Sequence, residues 1–166
     1  MLVQDFLHNS AERFPDKVAL ICDGHRLTYA QIEEQANRVA NGLLALGVQR
    51  GDRVVVWLPN SVETVVAIFA ILKAGATFVV VNPTTKPGKL AYILNNCAAS
   101  GLFAPGRRGE QVTNLFDTVP SIRCAVLCGK ALPHASTLSH PHTVPFSDLL
   151  KTYSPARPPC PTIDVD

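Results

Sequence analysis

Between residues 53 and 128 the hydrophobic period switches back and forth, and this alternation limits the possible folds more than any other feature of the chain. RVVVWL (53–58) is an uninterrupted apolar run, as expected of a strand buried on both faces. VETVVAIFAILKA (62–74) is long enough for a helix and apolar almost all round, which predicts a helix sandwiched by protein. TFVVV (77–81) reads as the next buried strand, and Pro87 suits a first helical position. Leu90, Ile93, Leu94 and Cys97 mark the inward stripe of the helix that follows. GLFA (101–104), a helix carrying Val112, Leu115, Phe116 and Val119, and IRCAVLC (122–128) complete the series. Connections this long do not make hairpins. The pattern therefore predicts an α/β fold with a parallel, doubly wound sheet.

A helix and a β-hairpin are expected ahead of that sheet. Val3, Phe6, Leu7 and Phe14 fall near helical spacing, and Pro15 closes the segment. KVALIC and RLTY flank Asp23-Gly24, a dipeptide suited to the positive φ angles of a type I′ turn. Thr28 and Gln31 have capping-box spacing. Ile32, Ala36, Val39, Ala40, Leu43 and Leu44 then form one apolar stripe, and Gly47 stands where a left-handed cap is needed. Beyond Gly129 the texture changes, with seven of thirteen prolines and the run HASTLSHPHTVP. The division expected is 1–128 as a partial amino-terminal subdomain and 129–166 as a Pro-rich loop, a short helix over FSDLLKTY (146–153) and a connector tail.

Bulk properties remove several function classes. The net charge is +2 and no basic run exceeds Arg107-Arg108, so no nucleic-acid footprint is expected. No apolar run approaches the length of a membrane span. Five cysteines, an odd count behind an opening without signal-peptide character, point to reduced thiols and a cytoplasmic setting.

Neither G-x-G-x-x-G nor G-x-x-x-x-G-K-[ST] occurs, and Gly101, Gly106 and Gly109 read as loop glycines that open no helix. Cys124, Cys128, His134, His140 and His142 cluster in sequence. Four residues of strand span roughly 13 Å, however, whereas two sulfurs on one zinc lie about 4 Å apart. No metal site is therefore expected. No nucleophile elbow or Cys-His frame is present, so no catalytic residue is assigned. Cys22 and Cys97 read as small core residues, and Glu33-Glu34 as a solvated helix face. One feature remains, the turn Asn82-Pro83-Thr84-Thr85-Lys86 after strand 77–81, because ligands of open parallel sheets collect beyond the carboxyl ends of strands. Plain strand-to-helix geometry, with Asn and Pro for shape and Thr85 or Lys86 as the lead-in to the helix, is the weightier explanation of the same turn.

The stretch LTYAQIEEQANRVANGLLALGVQRGDRVVVWLPNSVETVVAIFAILKAGATFVVVNPTTKPGKLAYIL (Leu27 to Leu94) resembles the amino-terminal part of the adenylate-forming acid–thiol ligases. This AMP-binding superfamily comprises acyl-CoA synthetases, adenylation domains and luciferases. The segments LTY, GDRV, LPNS, LKAG and NP match in order and spacing. The resemblance implies the chemistry of that family: a carboxylic acid is activated with ATP and magnesium to an acyl-adenylate, then usually passed to coenzyme A or a carrier-protein thiol. It also implies that Lys86, just past the Asn-Pro, is the candidate for contact with the nucleotide end of coenzyme A. The family's phosphate-gripping loop, T-S-G-[ST]-T-G-x-P-K-G, is absent, as are its ribose-binding motif and catalytic Lys domain. The chain is thus expected to be an amino-terminal fragment, inactive alone. As such it would expose apolar patches and sheet edges that the remainder of the ligase or a second copy covers. A stand-alone binding module and one chain of a split ligase are the alternatives.

Overall fold

The computed structural model describes residues 1–129 and 142–159. His134 and His140 of the sequence cluster, and the tail from Cys160 onward, lie outside the described residues.

Helix α1 (Val3–Arg13) opens the chain, its Asp5 carboxylate accepting the Leu2 N–H at 2.7 Å. Only Leu7 of the expected apolar set is buried, while Val3, Phe6 and Phe14 are exposed. Strands β1 (Val18–Cys22) and β2 (His25–Thr28) pair antiparallel, with Asp23 and Gly24 at φ of 49° and 78°. This is the expected primed turn. Helix α2 (Tyr29–Ala45) starts from the Thr28–Gln31 capping box and buries Ile32, Ala36, Val39, Ala40 and Leu43. Gly47 closes it at φ 89°.

The main sheet is parallel throughout, in the order β4-β3-β5-β6-β7. Its members are β3 (Arg53–Val56), β4 (Thr77–Val80), β5 (Gly101–Pro105), β6 (Cys124–Cys128) and β7 (Thr143–Pro145). Helices α3 (Val62–Lys73), α4 (Pro87–Asn96) and α5 (Gly109–Thr118) connect them, and α6 (Phe146–Thr152) follows β7. Side chains of β3 alternate between two cores. Val54 and Val56 join residues of α2, α3 and α6 on one face, and Val55 and Trp57 join residues of α4 and α5 on the other. Helices on both faces make the sheet doubly wound, as the sequence predicts.

Several expectations need correction. The stretch 77–81 is not buried along its length: Val81 is enclosed, but Thr77, Phe78 and Val80 are exposed. Among the described residues β4 pairs with β3 alone and stands at the sheet edge, leaving Phe78 and Val80 exposed at 37% and 58%. Among the described residues, this is a sheet edge carrying two exposed apolar side chains. Glu33 is not solvated either; it is buried and salt-bridged to buried Lys73 at 2.8 Å. Its neighbour Glu34 does face solvent. Cys22 and Cys97 are half-buried.

The Pro-rich region holds an element that the sequence reading did not contain, β7, whose Val144 pairs with Val126 of β6. Residues 153–157 then lie back across α2. Arg38 donates to Tyr153 O, Asn37 to Pro155 O, and Asn41 to Ser154 O and Ala156 O. Arg157 pairs with Asp5 at 2.7 Å.

Candidate functional site: the carboxyl edge of the sheet

An open parallel sheet exposes a crevice where its strand order reverses. Here β3 comes first in the chain and has the second strand, β4, on one side and the third, β5, on the other. The crevice therefore falls between the carboxyl ends of β3 and β5. Trp57 follows β3 directly and donates its backbone N–H to Phe103 O of β5 at 2.9 Å. Its indole is fully buried and occupies the space beneath that junction.

Arg108 comes from the other side. β5 ends at Pro105, one 3₁₀ turn (Gly106–Arg108) follows, and α5 begins at Gly109. The guanidinium carbon of Arg108 lies 4.1 Å from the Trp57 ring centroid, a close cation–π distance. Its Nη2 also donates to Pro83 O at 3.1 Å, tying the turn after β4 to the turn after β5. Gly106 and Gly109 are buried and do open a helix, contrary to the reading of them as plain loop glycines. The indole Nε1 has no hydrogen-bond partner among the described residues.

The sequence-predicted turn is present on the same edge. Asn82 Oδ1 accepts from Thr84 N at 2.9 Å and from Thr84 Oγ1 at 2.7 Å, so Asn is needed here to build the turn. Lys86 is the N-cap residue of α4, and its side chain is exposed. Trp57 and Arg108 were missed because the turn after β4 carries an obvious Asn-Pro signal. The usable signal for Arg108 was the strand-then-helix reading of LFAPGRRGEQV, and Trp57 showed only as one more apolar residue.

The opposite edge of the sheet is a staple. Arg53 donates to Cys97 O and Ala98 O at 2.7 and 3.0 Å, and Arg123 donates to Gly47 O at 2.6 Å and to the Asp52 carboxylate at 2.9 Å. Asp52 O in turn accepts the Thr77 N–H at 2.8 Å. GDRV therefore holds the amino ends of the strands together. The other shared segments are equally structural. Ser61 of LPNS caps α3, Lys73 of LKAG neutralises Glu33, and Gly75 turns at φ 75°.

The model of the "AMP-binding enzyme" family matches residues 7–161. The chain belongs to this family. Triostin synthetase I of Streptomyces triostinicus is 40% identical over 131 residues, covering 76% of this chain and 24% of that protein. A medium/long-chain-fatty-acid–CoA/3-oxocholest-4-en-26-oate–CoA ligase of Mycobacterium marinum is 36% identical over 121 residues, covering 73% and 22%. Among solved structures, Mycobacterium smegmatis MbtA superposes with a TM-score of 0.81 at 30% identity, covering 100% of this chain and 29% of that one. The anthranilate CoA ligase AuaEII, solved with anthranoyl-AMP, gives 0.81 at 26% identity, covering 92% and 28%. The chain thus spans about a quarter of the length of these relatives. Among the described residues, no helix is long and apolar enough to cross a membrane.

Proposed function

We propose that these 166 residues form the amino-terminal framework of an ATP-dependent, AMP-forming acid–thiol ligase and that they do not form acyl-adenylate by themselves. The observation that carries this reading is the filled crevice. The place where the sheet topology offers a ligand site is packed with the Trp57 indole and covered by Arg108.

The chemistry supports the same reading. A carboxylate is a poor electrophile, and joining it to AMP supplies a leaving group. Holding the triphosphate during that step takes converging backbone N–H groups, a cation and a metal. The sequence contains no glycine-rich loop of the family type to supply those N–H groups. Among the described residues no three His, Cys, Asp or Glu side chains stand together as metal ligands. In the whole ligase, on this proposal, those parts come from other segments. Such segments, or a second copy, also cover Phe78 and Val80 on β4. The free thiols Cys22, Cys97, Cys124 and Cys128 support a cytoplasmic setting.

Lys86 is the proposed contact to the nucleotide end of coenzyme A, because it is an exposed cation on the rim, three residues past the Pro83 carbonyl that Arg108 holds. Calorimetric titration of the chain tests both parts. Coenzyme A should bind weakly and salt-sensitively, with Lys86→Ala lowering affinity by roughly threefold to tenfold. Magnesium-ATP should give no heat above dilution. Micromolar ATP binding would instead favour a self-standing nucleotide-binding module, and unchanged coenzyme A affinity in Lys86→Ala would remove Lys86 from the site.

A further inference from the structure

The turn that carries Lys86 stands at an open place in the fold. It follows the edge strand β4, and Asn82, Thr84 and Lys86 are all exposed. Short-range bonds close it internally: Thr84 N and Oγ1 donate to Asn82 Oδ1, and Thr85 N donates to Asn82 O at 2.9 Å. Such bonds give a turn its shape but do not fix where it sits relative to the neighbouring loop. Among the described residues, the hydrogen bond that anchors it to that loop is Arg108 Nη2 on Pro83 O, at 3.1 Å.

Arg108 is built as an anchor. Its guanidinium lies 4.1 Å from the ring centroid of Trp57, whose indole is fully buried and held by the core around it. A planar cation on an aromatic face keeps its N–H donors in a fixed direction. The side chain is half-buried, whereas its neighbour Arg107 is exposed. Lys86 follows Pro83 by three residues and is the N-cap of α4. A shift of the Pro83 carbonyl therefore moves the start of that helix, and Lys86 with it.

We propose that Arg108 is a positioning residue for coenzyme A: stacked on Trp57, it holds the Pro83 carbonyl and thereby sets where Lys86 stands. The proposal rests on the reading of Lys86 as the contact to the nucleotide end. Arg108 itself touches no ligand. Its contribution passes through Lys86 and vanishes when Lys86 is gone.

The test is a double-variant cycle on the 166-residue chain, read by calorimetric titration with coenzyme A. Arg108→Gln should weaken binding by roughly twofold to fivefold in the native background and leave the residual affinity of Lys86→Ala unchanged. Arg108→Lys keeps the charge but not the planar stack, and should weaken binding as Arg108→Gln does. Amide exchange followed by NMR reads the anchor without ligand. Exchange at Thr84 and Thr85 should quicken by roughly fivefold or more in Arg108→Gln. Thr77, whose N–H goes to Asp52 O at the amino end of β4, should quicken less, which separates a loosened turn from a loosened fold. An equal loss of affinity in both backgrounds, or full affinity in Arg108→Lys, would mean that the Arg108 charge acts on the ligand directly and would overturn the proposal. So would unchanged exchange at Thr84 and Thr85, or equal quickening at Thr77. If Lys86→Ala weakens binding while Arg108→Gln does not, the positioning role falls alone. If Lys86→Ala binds as the native chain does, the reading of Lys86 falls first and takes the proposal with it.

Discussion

Arg108 lies over the face of Trp57 at 4.1 Å, and this contact joins the exits of β3 and β5 across the point where the strand order reverses. It fills the crevice that doubly wound sheets commonly leave for ligands. Trp57 is the sole tryptophan of the chain, so the contact can be followed optically. Arg108→Ala should let water reach the indole, shift its emission to the red and cost about 1–2 kcal/mol in urea unfolding. Unchanged emission and stability would mean that the stack contributes nothing in solution.

The buried Glu33–Lys73 pair should behave asymmetrically. Removing one partner leaves the other charged and enclosed. Glu33→Leu or Lys73→Met alone should therefore cost about 3–5 kcal/mol. The double variant should lose less than either single change, because no buried charge remains. Denaturant unfolding of all four chains measures the coupling, and additive losses would contradict the burial seen here.

Asp5 gives a pH signature. The Leu2 N–H on its carboxylate, helped by Arg157, holds its pKa below the usual value against a partial desolvation that pushes it up. A carboxylate whose folded pKa is depressed adds stability above its unfolded pKa and loses it as pH falls through the folded one. The melting-temperature gap between the native chain and Asp5→Asn should thus be constant above about pH 4 and close below it. A gap that widens on acidification would show the opposite sign.

Thiol reactivity should divide the cysteines by depth. Burial pushes the Cys124 thiol up to about 12 and raises Cys128 as well. Because the thiolate is the reacting species, iodoacetamide near neutral pH should modify half-buried Cys22 and Cys97 first. Cys124 and Cys128 should react only on unfolding. Peptide mass spectrometry reads the order, and early alkylation of Cys124 would mean that β6 opens locally.

What the sequence disclosed followed from local rules. The Asp23-Gly24 turn, the Thr28 capping box and the glycine stop at Gly47 each rest on a few neighbouring residues, the parallel sheet rests on the order of apolar runs along 53–128, and each is present. What it hid depended on residues far apart in the chain. TFVVV reads as buried, yet strand order puts it at the edge, and order cannot be read from one strand. Glu33 looks solvated until Lys73, forty residues later, is folded against it. TVP is too short and too proline-rich to announce β7, which exists because Val126 offers it a partner. At the carboxyl edge the Asn-Pro turn was legible, whereas Arg108 acquires meaning only from Trp57, fifty-one positions earlier in the chain.

The most direct test of the account is ATP–pyrophosphate exchange by the purified 166-residue chain, assayed against fatty, aromatic and amino acids. A framework without a phosphate-gripping loop should give no exchange above the protein-free rate with any of them. Acid-dependent exchange that persists through purification would contradict the claim that these residues do not activate a carboxylate by themselves.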